Sequence, residues 1–81
     1  MALIPVVTII TPVYNGEKFL AETIDSVINA SISIPYEFLV LNDGSLDSTM
    51  EILESYGNKI RTISHKNIGE SATVNRGIES A

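Results

Sequence analysis

The sequence predicts an α/β fold in which three parallel strands form a sheet covered by helices on both faces. Two apolar runs carry this prediction, residues 6–10 and 36–41, because each ends abruptly in polar turn residues and is followed by a helical pattern. Successive units of this kind give parallel strands whose carboxyl ends open at one edge, where open α/β sheets bind ligands. With a third, weaker strand and right-handed crossovers, we expect the strand order 3-2-1.

The first strand and its helix are predicted from branched residues and apolar spacing. Residues 6–10 are almost continuously β-branched, as expected for a strand covered on both faces. Asn15 can cap the following helix, contact a ligand, or do both. The buried stripe of that helix is Leu20, Ile24, Val27 and Ile28. The helix should end near residues 29–31.

The second unit stops its strand at the turn dipeptide Asp43-Gly44. Ser45 is the expected N-cap of the second helix, and Asp47 in its first turn would favour the helix dipole. Gly57 stands where a C′ glycine belongs. The apolar stripe of the helix is expected to comprise Leu46, Met50, Leu53 and Tyr56.

The third unit begins with an edge strand at residues 60–64, because charged residues flank Ile60 and break the apolar run. A helix should follow residue 69, with Ala72 or Val74, Ile78 and Ala81 on its buried side. Gly77 is best explained by close packing of this helix on the sheet. A helix without a C-terminal cap is an unusual place for a domain to end, so we expect the chain to be part of a larger domain.

Composition excludes several classes of function. Hydrophobic residues at 44% and charged residues at 19% fit one small globular unit of 81 residues. The net charge of −5 and the scattered basic residues argue against nucleic-acid binding. Without cysteine there is neither a disulfide nor a thiolate metal site, and cytoplasmic residence is the default expectation. His65 is the single histidine and receives no role.

Three motifs follow the predicted strands, at residues 11–15, 42–47 and 67–77. In this order and spacing they resemble family 2 glycosyltransferases of the GT-A fold, over essentially all 81 residues. The resemblance implies a three-layer, Rossmann-like partial GT-A domain, with residues 1–81 as its amino-terminal nucleotide-binding part. It also implies a parent enzyme that transfers a sugar, with inversion, from a nucleotide-diphospho-sugar to a hydroxyl acceptor. A UDP-sugar donor and an acceptor in polysaccharide or cell-surface glycan synthesis are expected.

The resemblance also implies the residues that hold the nucleotide. Asp43 would accept a hydrogen bond from the base, and a carboxylate suits the imino N–H of uracil because it only accepts. Pro12 would fix the backbone path beside base and ribose. Arg76 could face the diphosphate or be solvated. The implied nucleotide-binding residues are Thr11, Pro12, Val13, Tyr14, Asn15, Glu17, Asp43, Gly44, Gly69 and Arg76.

This chain departs from the family pattern at Asn42, where an acidic residue is usual, and nucleotide binding is expected to survive. The family's metal-binding Asp-x-Asp motif and its catalytic base would follow Ala81. A divalent metal, Mg²⁺ or Mn²⁺, is therefore expected for the full-length enzyme, whereas this piece should hold neither metal nor catalytic residues and should be inactive alone.

Two alternatives stay open from the sequence. One is a non-catalytic α/β module that binds a nucleotide or a protein partner, and the other is a domain half that assembles with a separate chain.

In the complete GT-A fold a further strand pairs with the free side of the first strand. We therefore expect this chain to self-associate through that edge.

Overall fold

A computed structural model describes residues 7–30 and 33–81. Its strands are β1 (Val7–Val13), β2 (Tyr36–Asp43) and β3 (Arg61–His65), and its α-helices are α1 (Leu20–Ile28), α2 (Thr49–Ser55) and α3 (Glu70–Ser80). A single 3-10 turn, Gly57–Lys59, precedes β3. The strands form one parallel sheet in the order β1-β2-β3, which confirms the predicted order and the edge position of β3. Val6, the predicted start of the first strand, lies outside the described residues.

Two strands run further than the apolar runs indicated. β1 continues to Val13, and Pro12 is paired in register with Leu41 of β2. Within the described sheet β1 has a strand on one side only, so the missing N–H of Pro12 interrupts no second ladder there. β2 continues to Asp43, which is paired with His65 of β3. The strands therefore carry the first residues of the candidate site themselves.

The sheet is covered on both faces, as predicted. On one face, α1 and α2 pack against β2 through a core of buried apolar residues. On the other, α3 packs against β1 and β2. The buried core on the first face comprises Val13, Leu20, Ile24, Phe38, Val40, Leu53 and Ile60. Residues 38–43 of β2 are all buried, which makes this strand the centre of the fold.

The buried side of α3 differs from the prediction. Thr73 and Gly77 are buried, whereas Ile78 is 61% exposed. A Cβ at Gly77 would lie 2.8 Å from Ile10 Cγ2 and 2.9 Å from Leu41 Cδ1, which confirms the predicted close packing at this glycine. The apolar pattern failed here because the helix approaches the sheet through small residues, so its larger apolar side chains point elsewhere.

The start of α2 was also predicted too early. The helix begins at Thr49, and Ser45 and Leu46 lie in the preceding loop, where Leu46 is 88% exposed. The end of α2 agrees with prediction, since Gly57 has φ +55° one residue after the C-cap Tyr56. Likewise α1 ends at Ile28 with Asn29 as its C-cap. Within the described ranges, no helix is long and apolar enough to cross a membrane.

Candidate functional site

A cavity of about 420 Å³ lies at the carboxyl edge of the sheet. Its lining combines the end of β1 with residues that follow or end β2 and β3, as expected where parallel strands open together. Five of the ten implied nucleotide-binding residues are among those that line it. The lining residues are Pro12, Val13, Tyr14, Asp43, Asn67, Gly69 and Glu70.

Asp43 is the buried acceptor of this cavity, with only 4% of its surface exposed. Its Oδ1 accepts the backbone N–H of Ile68 at 2.7 Å, and its Oδ2 accepts that of Gly69 at 3.1 Å. In addition, Asn67 Nδ2 donates to the Asp43 carbonyl oxygen at 3.2 Å. The Ile68 and Gly69 N–H groups offset the cost of burying the carboxylate. Since an ionised carboxylate offers about four lone pairs, it keeps acceptor capacity for a ligand.

Two glycines allow the loops around Asp43 to approach each other. Gly44 has φ +67°, and a Cβ there would lie 2.6 Å from the backbone nitrogen of Asn67. Gly69 has φ +89°, and a Cβ there would meet no atom within 4 Å. Gly44 is therefore needed for loop packing, while Gly69 is needed for its backbone conformation.

Asn15 is placed differently from its predicted position as a helix cap. It has φ +50°, and α1 begins only at Leu20. Its backbone N–H donates to Ser45 Oγ at 2.9 Å, and its Oδ1 accepts the Leu46 N–H at 2.8 Å. The side chain thus connects the β1–α1 loop to the β2–α2 loop. This also explains why Ser45 does not cap α2.

Further hydrogen bonds join the same two loops. The Gly16 N–H donates to Thr49 Oγ1 at 2.9 Å, and Thr49 is fully buried. The Glu17 N–H donates to Asp47 Oδ2 at 3.2 Å, and Glu17 Oε2 accepts the Ser48 N–H at 3.2 Å. We call the bonds between residues 15–17 and 45–49 the interloop network. It fixes the loop after β1 relative to the loop after β2.

Asp47 is ionised within this network. Desolvation alone would raise the pKa of its carboxyl group, but hydrogen bonds from the Thr49 hydroxyl and from the backbone N–H groups of Thr49 and Glu17 outweigh that effect. Its pKa therefore lies below the ordinary value of 3.8. The side chain acts mainly as an acceptor at the start of α2, in place of the predicted Ser45 cap.

The other five implied nucleotide-binding residues lie outside the cavity lining. Thr11 is half-buried within β1 and paired with Val40, and Arg76 is exposed on α3. Asn15 and Glu17 belong to the interloop network, and Gly44 lies beneath the loop after β3. Their direct contact with a nucleotide stays a prediction.

Asn42 has a structural role that explains a neutral side chain at this position. It is buried, and its Oδ1 accepts the Ser45 N–H at 3.1 Å while its Nδ2 lies 3.5 Å from Met50 Sδ. An amide can make both contacts because it is donor and acceptor at once. The Asn42 side chain therefore supports the β2–α2 turn.

Sequence reasoning gave no role to His65, which lies beside Asp43. Its Nδ1 is 3.5 Å from Asp43 Oδ1 and 2.7 Å from the Lys66 carbonyl oxygen, and both side chains are 6% exposed. The signal that identifies it is the strand register, which pairs His65 with Asp43. The register cannot be read from the β3 segment alone. Among the residues that line the cavity, Asn67 and Glu70 also had no assigned role.

The described part of the chain offers no ready metal site. Across residues 7–30 and 33–81, no group of three or more His, Cys, Asp or Glu side chains is arranged to hold a metal ion.

A cavity with a buried acceptor at the carboxyl edge of a parallel sheet is typical of the ligand site of an open α/β domain. The chain belongs to the family described as glycosyl transferase family 2, whose model matches residues 8–81. The fold agrees with that assignment, because solved structures with the Rossmann-like GT-A fold superpose on it.

Individual relatives share this region. The uncharacterized glycosyltransferase EpsJ of Bacillus subtilis is 42% identical over 98% of this chain and 24% of its own length. The minor teichoic acid biosynthesis protein GgaA of the same species is 39% identical over 90% of this chain and 18% of its length. The structure of S. aureus TarS 1–349 in complex with UDP-GlcNAc matches with a TM-score of 0.77 and 28% identity, over 93% of this chain and 23% of that one. The chain thus spans about a quarter or less of these relatives.

Proposed function

We propose that residues 1–81 form the nucleotide-binding part of a GT-A glycosyltransferase domain. The parent enzyme transfers a sugar from a UDP-sugar, with inversion, to a hydroxyl acceptor in polysaccharide or cell-surface glycan synthesis. Family membership supports the transferase class. The teichoic acid name of GgaA and the UDP-GlcNAc bound to TarS support the acceptor and donor classes. A cytoplasmic location stays a prediction.

The observation that carries the proposal is the position of Asp43 in a cavity of nucleoside size. A volume of about 420 Å³ lies within the range of small-molecule sites. Pro12 and Tyr14 give it apolar and aromatic walls, against which a planar base can stack. The Asp43 carboxylate then accepts an imino N–H of the base, which selects uracil over a base that presents a lone pair at that ring position.

The charges of the lining favour the nucleoside over the diphosphate. Asp43 and Glu70 are both acidic, and the lining residues include no lysine or arginine. A diphosphate beside them needs a counter-charge. The divalent metal expected for the full-length enzyme would supply it and would stabilise the leaving diphosphate. We assign it no ligands, because the described segments contain no suitable cluster.

Calorimetric titration of UDP and CDP into the chain tests the nucleotide site. UDP should bind weakly without metal, and CDP should bind about tenfold more weakly or worse, because cytosine presents an acceptor at the position of the uracil imino group. Equal affinities for the two nucleotides would contradict the role of Asp43. A module that binds only a protein partner would bind neither nucleotide.

A variant pair adds a second test. Asp43→Ala should lower UDP affinity about 10- to 100-fold, the loss of one hydrogen bond to a charged group. Glu54→Gln removes an exposed carboxylate of α2 and should leave the affinity unchanged. Since Asp43 also accepts bonds from the β3–α3 loop, circular dichroism must show that the Ala variant is folded. The nucleotide comparison in the unaltered chain does not depend on that variant.

A further inference from the structure

We propose that His65 is a positioning residue that holds the Asp43 carboxylate in its nucleotide-binding orientation. The inference rests on the proposed function of the cavity. It starts from the register, which places His65 at the end of β3 opposite Asp43 at the end of β2. Both side chains are 94% buried, so water competes little for their polar atoms.

The surroundings of the imidazole fix which nitrogen carries the proton. Nδ1 lies 2.7 Å from the Lys66 carbonyl oxygen and 3.5 Å from Asp43 Oδ1. A carbonyl and a carboxylate can only accept, so Nδ1 must donate. Nε2 is buried and has no hydrogen-bond partner among the described residues. A proton on Nδ1 therefore satisfies the one ring nitrogen that has partners.

The imidazole lies beside a carboxylate that two backbone N–H groups already hold. Oδ1 accepts the Ile68 N–H and Oδ2 accepts the Gly69 N–H, while His65 Nδ1 lies 3.5 Å from Oδ1. The same Nδ1–H holds the Lys66 carbonyl oxygen and thereby anchors the start of the loop that supplies the two backbone donors. His65 therefore restrains Asp43 by packing beside its carboxylate and by anchoring the loop between β3 and α3. The lone pairs left unused remain for the base.

A pair of substitutions separates positioning from simple filling of space. Asn places an amide N–H near the position of Nδ1, so His65→Asn should keep UDP affinity within about twofold of the unaltered chain. His65→Leu fills the space without a donor and should weaken UDP binding about fivefold, as expected for the loss of one ordinary hydrogen bond that anchors the loop. Equal affinities of the Leu variant and the unaltered chain would overturn the proposal.

A measurement without nucleotide distinguishes failure of this inference from failure of the proposed function. In His65→Leu the Ile68 and Gly69 amide protons should exchange with solvent faster, and in His65→Asn their exchange should match the unaltered chain. If UDP binds to no variant but these amides respond as expected, the nucleotide function is wrong and the positioning of Asp43 stands. Unchanged exchange in the Leu variant would overturn the positioning.

The imidazole tautomer gives a test that needs no folded variant. Nitrogen-15 NMR of the unaltered chain above the titration range of histidine should show the proton on Nδ1. A neutral ring with its proton on Nε2 would leave Nδ1 without a hydrogen to donate. That result would refute the proposal even if His65→Leu failed to fold.

Discussion

Replacement of Gly44 by alanine should destabilise the fold and disturb the cavity in one step. The residue has φ +67°, and an added Cβ would lie 2.6 Å from the Asn67 backbone nitrogen and 3.2 Å from its Cα. Gly57 is a matched control, because its φ is +55° but a Cβ there would meet nothing within 4 Å. Comparison of the two Ala variants therefore isolates the steric contact from the backbone conformation.

The two substitutions should lower the free energy of unfolding by different amounts. A left-handed alanine costs about 1–2 kcal/mol, partly offset by about 0.4–1 kcal/mol from the less flexible unfolded chain. Gly57→Ala should then lose about 1 kcal/mol of stability. Gly44→Ala should lose a further ~1–3 kcal/mol, the usual cost of overpacking, because the atom in the way belongs to the backbone and cannot rotate aside. A chain of this size has a total stability of roughly 4–12 kcal/mol.

Urea unfolding followed by far-UV circular dichroism measures both variants. We expect the free energy of unfolding to fall by about 1 kcal/mol for Gly57→Ala and about 2–4 kcal/mol for Gly44→Ala. In thermal melts each kcal/mol should correspond to about 4–8 °C. If the two variants agree within about 0.5 kcal/mol, the close approach of the two loops at Gly44 is not a determinant of stability.

Three other predictions concern the core, the interloop network and the sheet edge. Leu53→Ala should lower the free energy of unfolding by about 2–5 kcal/mol, because Leu53 is 2% exposed. Leu46→Ala, at a position that is 88% exposed, should change it by no more than about 0.5 kcal/mol. Urea unfolding of both variants measures these changes. The pKa of Asp47 is lowered on folding, so the ionised carboxylate stabilises the folded state. This stabilisation is complete above the unfolded pKa near 3.8 and is lost as the pH falls below it. The melting temperature of the unaltered chain should therefore fall more steeply with decreasing pH than that of Asp47→Asn. Parallel plots of melting temperature against pH would contradict this. Finally, self-association through β1 should appear in sedimentation velocity as a concentration-dependent dimer, and a strictly monomeric chain would count against it.

The sheet could be predicted from sequence because its strands are marked by side chains that favour them. β-Branched and apolar runs identified β1 and β2, and the broken run at residues 60–64 correctly indicated an edge strand. The carboxyl ends of the strands were harder to place. Pro12 and Asp43 look like turn residues, yet both lie within strands. Pro12 is paired in register with Leu41, and the donors after β3 compensate the Asp43 carboxylate.

The helices were predictable only where large side chains pack. α1 buries Leu20 and Ile24 as its spacing indicated. The spacing in α3 was misleading because Thr73 and Gly77 make the contact with the sheet, and neither contributes to an apolar pattern. At α2 the error arose from long-range hydrogen bonds, since the partners of Ser45 and Leu46 are about 30 residues earlier and leave no local signal.

The interloop network changes how the motif at residues 11–15 should be understood. Asn15 stands in the motif beside Pro12 and Tyr14, which line the cavity, but its own bonds go to the loop after β2. The adjoining Glu17 makes the same kind of connection. Because β1 and β2 are parallel and adjacent, the loops that leave them start side by side but are free to diverge unless something joins them. Residues of one motif can therefore divide two tasks, with some forming the wall of the cavity and others holding that wall at a fixed distance from the Asp43 carboxylate.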